Sequence, residues 1–231
     1  MATITPKTTA PATDQPDDRD LRQRELVPPE ALAACRCTII GVGAIGRQVA
    51  LQLAALGVAH LQLVDPDHVE PVNLAAQGYR EVDVMQQKVN ATAALCRQLH
   101  SRLSIEAVSG RFRRSLPVEP VVFACVDAIA TRRQVYEAVR GNARLLVDGR
   151  MHGEVIRVLA AELPDHHDRY RGTLFNPDQT YAGSCTSRST IYAANLAAAL
   201  MVAQLARHLR CQPVEPDQTL NLFAGELTTT R

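Results

Sequence analysis

Three glycines with the spacing of a phosphate-binding loop lie near the start of the chain. Gly41, Gly43 and Gly46 form Gly-x-Gly-x-x-Gly in "IIGVGAIGRQVA", between an apolar run and a stretch with helical spacing. The first glycine of such a loop allows a tight turn, the second lets the backbone approach phosphate, and the third allows close packing of helix on strand. The following helix presents free N–H groups and the positive end of its dipole. We therefore predict that this loop binds the phosphates of a nucleotide.

A second group of polar residues follows the glycines and bears on which nucleotide is bound. Asp65 ends the next apolar run, about 20 residues further on, where a carboxylate can bind ribose hydroxyls. Asp67, Asn73 and Gln77 follow in "DPDHVEPVNLAAQ", and Lys88 lies early in the next predicted helix. The glycines and Asp65 suit NAD and ATP equally, so the residues after Asp65 must decide between them.

Asp127 completes the set, because it follows the apolar run "VVFACV" at the edge of the sheet where such folds bind ligands. Lys88 can neutralise phosphate charge, and Asp127 can bind Mg²⁺ through oxygen. Hydride transfer needs neither group, so the set favours ATP with Mg²⁺ over an NAD-dependent oxidoreductase. Each residue also has a simpler explanation: Lys88 as a solvated helix residue, Asn73 as a turn residue and Asp127 as a helix N-cap.

The elements that must position these residues alternate along the chain. Apolar runs predict strands in "CTIIGVG", "HLQLVD", "SIEAVSGRF" and "PVVFACVD", and helical spacing predicts helices in "AIGRQVALQLAALG", "DVMQQKVNATAALCRQLH" and "TRRQVYEAVRGN". The segment "ARLLVDGRMHGEVIRVLAAEL" predicts two more strands around a glycine turn. This order indicates the α/β class: a doubly wound Rossmann-like sheet, mostly parallel, with helices on both faces and antiparallel C-terminal strands.

Composition excludes several classes of partner. With 25 basic and 24 acidic residues among 231, the net charge of +1 gives no electrostatic case for nucleic acid or a membrane surface. The segment 191–209 is the only membrane candidate, and its Asn195, Gln204 and Arg207 favour a buried amphipathic helix instead. Six cysteines without a Cys-x-x-Cys pair argue against a zinc ribbon and indicate a reducing, cytoplasmic setting. Residues 1–22, rich in Thr, Pro and Asp, are expected to be disordered.

The order of these motifs resembles the ThiF/MoeB/HesA family, which includes the ubiquitin-activating enzymes. Family members carry Gly-x-Gly-x-x-Gly, Asp-x-Asp, Asn-Leu-x-Arg-Gln, a Lys and an Asp at a strand end; here "GVGAIG", "DPD", "NLAAQ", Lys88 and Asp127 match over roughly residues 30–210. Arg132 fits the arginine that follows the Asp in the family. The resemblance implies that residues 23–231 form an adenylylating domain and that the chain is a homodimer. It also implies that the C-terminal glycine of a small ubiquitin-like or sulfur-carrier protein attacks the α-phosphorus of ATP.

The chain departs from the family pattern at Ala76, which replaces the arginine that meets the triphosphate in the family. Arg24 lies where relatives carry an arginine that reaches the partner subunit's site, although it can also be an ordinary solvated residue. The zinc-binding Cys-x-x-Cys pairs of the family are absent as well. These departures keep an alternative open: a catalytically degenerate relative that retains the fold and acts as a partner or scaffold.

Cys185, in "GSCTSRSTIYAANLAA", is the candidate thioester cysteine. In relatives, a Cys-Thr-x-x-(Arg or Lys) stretch before this helix carries that cysteine. A helix N-terminus and the nearby Arg188 both favour the thiolate. The alternative is a structural cysteine in a loop typical of the family.

Overall fold

An eight-stranded mixed sheet runs through the part of the chain that the structure describes. The structure, a computed structural model, describes residues 18–164, 167–174 and 189–230. The strand order is β3-β2-β1-β4-β5-β6-β7-β8. The first five strands of that order are parallel, and β6, β7 and β8 are antiparallel to their neighbours. The predicted mostly parallel sheet with antiparallel C-terminal strands is confirmed.

The elements have the following bounds. The strands are β1 (Arg36–Ile40), β2 (His60–Asp65), β3 (Ser104–Ser109), β4 (Val121–Ala124), β5 (Leu145–His152), β6 (Val155–Glu162), β7 (Asp217–Asn221) and β8 (Glu226–Thr229). The α-helices are α1 (Pro29–Ala34), α2 (Ala44–Leu56), α3 (Asn73–Gln77), α4 (Lys88–Leu99), α5 (Ile129–Val139), α6 (His167–Gly172) and α7 (Ile191–Leu209), with short 3₁₀ turns at Asp18–Asp20 and Glu81–Asp83.

Helices cover both faces of the sheet, as a doubly wound fold requires. Helices α2, α4 and α7 bury their apolar residues in one core, which includes Leu53, Cys96 and Met201. Helix α5 packs in a second core on the other face, through Val135 and Tyr136. The chain therefore passes to opposite faces after β1 and after the adjacent β4. The carboxyl ends of these two strands form the crevice where open α/β sheets bind ligands.

The second long helix begins later than its apolar pattern predicts. The pattern begins at Asp83, whereas α4 begins at Lys88. Met85 has a φ of 70°, which a right-handed helix cannot contain. Asp83 Oδ2 accepts from Arg80 N at 2.9 Å and so caps the preceding 3₁₀ turn. The predicted site lysine consequently stands at the first position of the helix.

The last five residues of the segment expected to be disordered are ordered in the structure. Asp18–Asp20 form a 3₁₀ turn. The Arg19 guanidinium donates to Ala54 O and Ala55 O in the last turn of α2 and to Leu99 O at the end of α4. A cation at the carbonyl ends of two helices is stabilising, which explains why residues 18–22 dock despite their composition.

Helix α7, the segment considered above as a possible membrane-spanning helix, packs against the sheet. Ala194, Ala198 and Met201 are buried in the core, as the predicted amphipathic helix requires. Among the described residues, no helix combines the length and the apolar character needed to span a bilayer.

Candidate functional site

The glycine loop joins β1 to α2. Two of its three glycines lie in close contact with neighbouring backbone, and the third does not. Gly41 has a φ of +88°, and a Cβ atom there would lie 2.6 Å from Cys125 O. A Cβ on Gly46 would lie 1.9 Å from Gly41 O. Around Gly43, by contrast, the nearest atom to such a Cβ is Gln77 Oε1 at 3.9 Å. Gly41 and Gly46 therefore let the loop, the helix and the end of β4 meet, while Gly43 borders the space that a phosphate can enter.

Asp65 holds this loop from the neighbouring strand. Its Oδ2 accepts a hydrogen bond from Val42 N at 2.6 Å, and its Oδ1 accepts one from Asp67 N at 2.9 Å. Burial raises the pKa of the Asp65 carboxyl, and these two backbone donors act against that rise. The carboxylate thus lies at the phosphate loop, with each oxygen retaining a lone pair for a ligand hydroxyl.

Tyr79 holds the same loop residue from the other side, and the sequence analysis did not identify it. The Tyr79 hydroxyl donates to Val42 O at 2.6 Å and contacts Thr92 Oγ1 at 3.2 Å. Burial raises the pKa of Tyr79, so the hydroxyl stays protonated and remains a donor. The only sequence signal was an aromatic residue with a polar tip directly after Gly78, the residue that ends α3.

Helix α3 brings Asn73 and Gln77 to the loop, but the two side chains have different surroundings. Asn73 Oδ1 accepts from Glu70 N at 2.9 Å, so Asn73 serves at least as a turn residue. Gln77 is fixed by Gln48 Nε2, which donates to Gln77 O at 3.0 Å. Its Oε1 is buried and has no hydrogen-bond partner among the described residues. Buried polar atoms are rarely left unpaired, so this amide beside Gly43 fits a polar ligand.

Lys88 and Asp67 meet at the same edge of the sheet. Lys88 Nζ lies 3.1 Å from Asp67 Oδ2, and Lys88 N donates to Asp67 O at 2.9 Å. The Lys88 side chain is buried, so the explanation as a solvated helix residue is wrong. Asp67 is the one ion-pair partner of Lys88 among the described residues and is exposed, so the ammonium can exchange it for phosphate.

Asp127 follows β4 on the segment that touches Gly41. The N-cap of α5 is Ala128, so the alternative explanation of Asp127 as a helix cap is wrong. Asp127 is exposed and its carboxylate makes no hydrogen bond or ion pair within the described residues. Nowhere in that part of the chain do three His, Cys, Asp or Glu side chains come together as a metal cluster. A single carboxylate nevertheless fits Mg²⁺, which often takes one or two protein carboxylates together with substrate phosphates.

Arg132 lies behind Asp127 in a buried network. Its guanidinium pairs with Asp148 and donates to Val126 O and to Gly149 O. Asp148 also accepts from Arg150 at 2.9 Å. Burial lowers the pKa of Arg132 to about 10. The structure thus ties Arg132 to β5 and to the backbone before Asp127, so a role in positioning that segment fits better than contact with nucleotide.

The predicted nucleophile, Cys185, lies outside the described residues. Helix α7, which follows it, begins at the site: a Cβ on Gly78 would lie 3.0 Å from Ile191 Cδ1. Burial raises the pKa of Cys125, next to the glycine loop, to about 12. Cys211 is exposed but follows the other end of α7, where His208 pairs with Glu162 at 2.8 Å.

Arg24 lies near the C-terminal end of α2, away from the glycine loop. Its N–H donates to Asp20 O, and its neighbour Gln23 donates to Leu56 O at the end of α2. The N-terminus of α2, with the glycine loop, is at the other end of the same helix. Arg24 is therefore not brought to the site of its own chain.

Comparison with known proteins supports the motif assignment. The model of the ThiF family matches residues 20–230. Mouse "Adenylyltransferase and sulfurtransferase MOCS3" is 31% identical over 71% of this chain and 38% of its own length. The "SAMP-activating enzyme E1" of Haloferax volcanii is 32% identical over 52% of this chain and 47% of its own. The chain thus spans about half or less of these two relatives.

Solved structures show the same fold at lower identity. PaaA superposes with a TM-score of 0.76 at 18% identity, over 93% of this chain and 82% of that one. The ATP complex of E. coli MccB superposes with a TM-score of 0.71 at 18% identity, over 94% of this chain and 72% of that one.

Proposed function

Because the chain belongs to the ThiF family, we propose that it adenylylates the C-terminal glycine of a small ubiquitin-like or sulfur-carrier protein. The names of its relatives support this reaction class, since they include adenylyltransferases and an E1 activating enzyme. The observation that carries the proposal is the space at Gly43, where Gln77 is the only described residue that an added Cβ atom would meet within 4 Å. Gln77, with an unpaired buried amide oxygen, borders it directly, and the buried Lys88 lies at the same edge of the sheet.

The proposed reaction needs positioning and charge stabilisation more than proton transfer. A carboxylate oxygen of the carrier's terminal glycine attacks the α-phosphorus of ATP. The bond from the α-phosphorus to its bridging oxygen breaks, pyrophosphate leaves, and an acyl-adenylate remains. The attacking carboxylate is already ionised, so no general base is required.

Each residue of the site then has a proposed role in binding the nucleotide or in the reaction. The backbone around Gly43 and the N-terminus of α2 bind phosphate oxygens, and Asp65 accepts from a ribose hydroxyl. Lys88 exchanges Asp67 for phosphate as negative charge moves to the leaving group. Asp127 would hold Mg²⁺, which neutralises phosphate charge when bound. Arg132 keeps the Asp127 segment in place through Val126 O.

A thioester on Cys185 is the second step of the proposal. Cys185 lies five positions before Thr190, the N-cap of α7, and such a length of chain spans at most about 17 Å. Since α7 begins beside Gly78, this tether keeps the cysteine within reach of the site. The thiolate would attack the acyl-adenylate and displace AMP.

We also propose that the chain is a homodimer in which Arg24 of one copy serves the other. Arg24 is exposed and lies away from its own glycine loop, so only a second copy can use it there. Sedimentation equilibrium tests this: a mass near the 25.2 kDa of one chain at micromolar concentration would contradict it.

Exchange of radiolabelled pyrophosphate into ATP tests the central proposal. Exchange should require Mg²⁺ and a carrier protein ending in glycine, and a carrier lacking its last residue is the control. Calorimetry should also show Mg·ATP binding more tightly than NAD. Equal or tighter NAD binding would favour an oxidoreductase instead.

Ala76 favours a second candidate, a degenerate member that acts as a partner or scaffold. The same assay separates the two. A scaffold would bind the carrier protein without catalysing exchange, with or without Mg²⁺.

A further inference from the structure

Arg47, in α2, is buried, and no described residue forms an ion pair with its guanidinium. The residue is 2% exposed, and no described residue accepts a hydrogen bond from its Nε or Nη2. The guanidinium carbon lies 4.5 Å from the centroid of the Tyr79 ring. Burial lowers the pKa of Arg47, but arginine stays protonated at neutral pH. Removing such a charge from water without a hydrogen-bonding partner is costly, so its retention needs a reason.

The acid beside Arg47 is already neutralised by another residue. Both carboxylate oxygens of Asp83 accept from Arg80, at 2.8 Å and 3.1 Å. Among the described residues, the Asp83 carboxylate favours the charged form of Arg47, and Arg80 opposes it. Together, Arg47, Arg80 and Asp83 hold one positive charge in excess.

This excess charge lies behind the phosphate loop. Arg47 is the fourth residue of α2, and its N–H donates to Gly43 O at 3.1 Å. Helical side chains lean toward the N-terminus, which here is the phosphate end. The Tyr79 ring that Arg47 covers donates its hydroxyl to Val42 O in the same loop. One tyrosine therefore links the guanidinium to the loop backbone.

We propose that Arg47 is a positioning residue for the polyphosphate of the nucleotide. It acts through Tyr79 on the loop and as a fixed positive charge in a dry region, without contacting the ligand. This role rests on the proposed function, since it requires a nucleotide at Gly43. It also explains why the chain keeps a buried arginine whose Nε and Nη2 donate to no described residue.

The test replaces Arg47 with an uncharged side chain of similar volume. Arg47→Met should weaken Mg·ATP binding by about tenfold, because a buried unit charge acts more strongly through protein than through water. The loss should shrink from ATP to ADP to AMP, as the ligand charge falls. Melting temperature should stay the same or rise, because apolar replacement of buried charge is often neutral or stabilising. Arg47→Lys, which keeps the charge, should retain most of the affinity.

Arg36→Gln is the matched control, because Arg36 pairs with Glu119 at the other edge of the sheet. It should change neither ATP nor AMP affinity. If Arg47→Met does not fold, Arg47→Gln makes the same removal with a polar side chain. Equal loss for all three nucleotides, or no loss, would overturn the role of Arg47 and leave the proposed function intact. Failure of the unaltered chain to bind any nucleotide would overturn both.

Discussion

Lys88 and Asp67 form an ion pair in which the ammonium is buried and the carboxylate is exposed. Their Nζ and Oδ2 atoms are 3.1 Å apart, but the Lys88 side chain is 8% exposed and that of Asp67 is 62% exposed. The carboxylate can therefore swing into water, while the ammonium stays fixed at the first turn of α4. An exposed partner of this kind adds about 1 kcal/mol of stability at most, so the pair has little to lose when phosphate replaces Asp67.

Lys88→Met and Asp67→Asn break the same ion pair and should have different effects. Lys88→Met should lower pyrophosphate exchange on the order of 100-fold, because it removes a cation from the developing negative charge. Asp67→Asn should keep ATP affinity, since the ammonium remains. Isothermal calorimetry and the exchange assay measure both. A similar loss in the two variants would mean that the pair, rather than the cation, matters.

Gly43→Ala should preserve the fold and prevent nucleotide binding. An added Cβ there meets only Gln77 Oε1 at 3.9 Å, so it enters the space meant for phosphate. Gly46→Ala is the contrasting variant: its Cβ would lie 1.9 Å from Gly41 O, and overpacking of this kind costs about 1–3 kcal/mol. Thermal unfolding and ATP titration distinguish the two. Unchanged ATP binding in Gly43→Ala would place the phosphates elsewhere.

Asp127→Ala should abolish adenylylation without affecting folding. The residue is exposed, and exposed substitutions usually change stability by less than about 0.5 kcal/mol. Asp148→Asn should behave differently, since it leaves the buried Arg132 and the part-buried Arg150 without their carboxylate, a change that costs about 3–5 kcal/mol. Exchange across a magnesium titration is the measurement. An unchanged magnesium dependence in Asp127→Ala would contradict the metal assignment.

Ala76→Arg should raise the exchange rate if the site lacks a cation. Ala76 is half-buried on α3, and the neighbouring Ala75 is exposed, so Ala75→Arg adds the same charge as a control. One well-placed cation can contribute a few kcal/mol, so a gain of about tenfold or more is expected. No gain would instead indicate that Arg47 already supplies the charge.

Cys185→Ala should keep pyrophosphate exchange and lose any covalent adduct with the carrier protein. Adenylylation uses Lys88 and Asp127, and the thiol acts only afterwards. The adduct on the unaltered chain should run as a separate band on a non-reducing gel and vanish with thiol reductant. Cys211→Ala is the control, because Cys211 lies at the far end of α7. An adduct that survives Cys185→Ala would identify another sulfur.

The sequence predicted the parts of the site that depend on local geometry. Glycine spacing fixes a tight turn within a few residues, so the loop between β1 and α2 was foreseeable, as was Asp65 at the end of β2. The start of α4 could not be predicted, because the positive φ of Met85 interrupts the helix although the apolar spacing continues through it.

The remaining features depend on contacts between distant segments. Tyr79 reaches Val42 across 37 residues, and Arg132 reaches Asp148 from a different element. Neither pairing has a spacing rule, since it arises only when the sheet brings the segments together. Arg47 resembled an ordinary polar position on a helix until packing showed its burial.

Gly43 is the N-cap of α2, and no side chain among the described residues caps the helix there. Its first N–H groups are therefore left for a ligand, and a bound phosphate would complete the helix. Ligand occupancy and folding are then thermodynamically linked. Nucleotide at one hundred times its dissociation constant would add about 2.7 kcal/mol to the free energy of unfolding. The resistance of this protein to unfolding would thus rise with the concentration of the nucleotide that it binds.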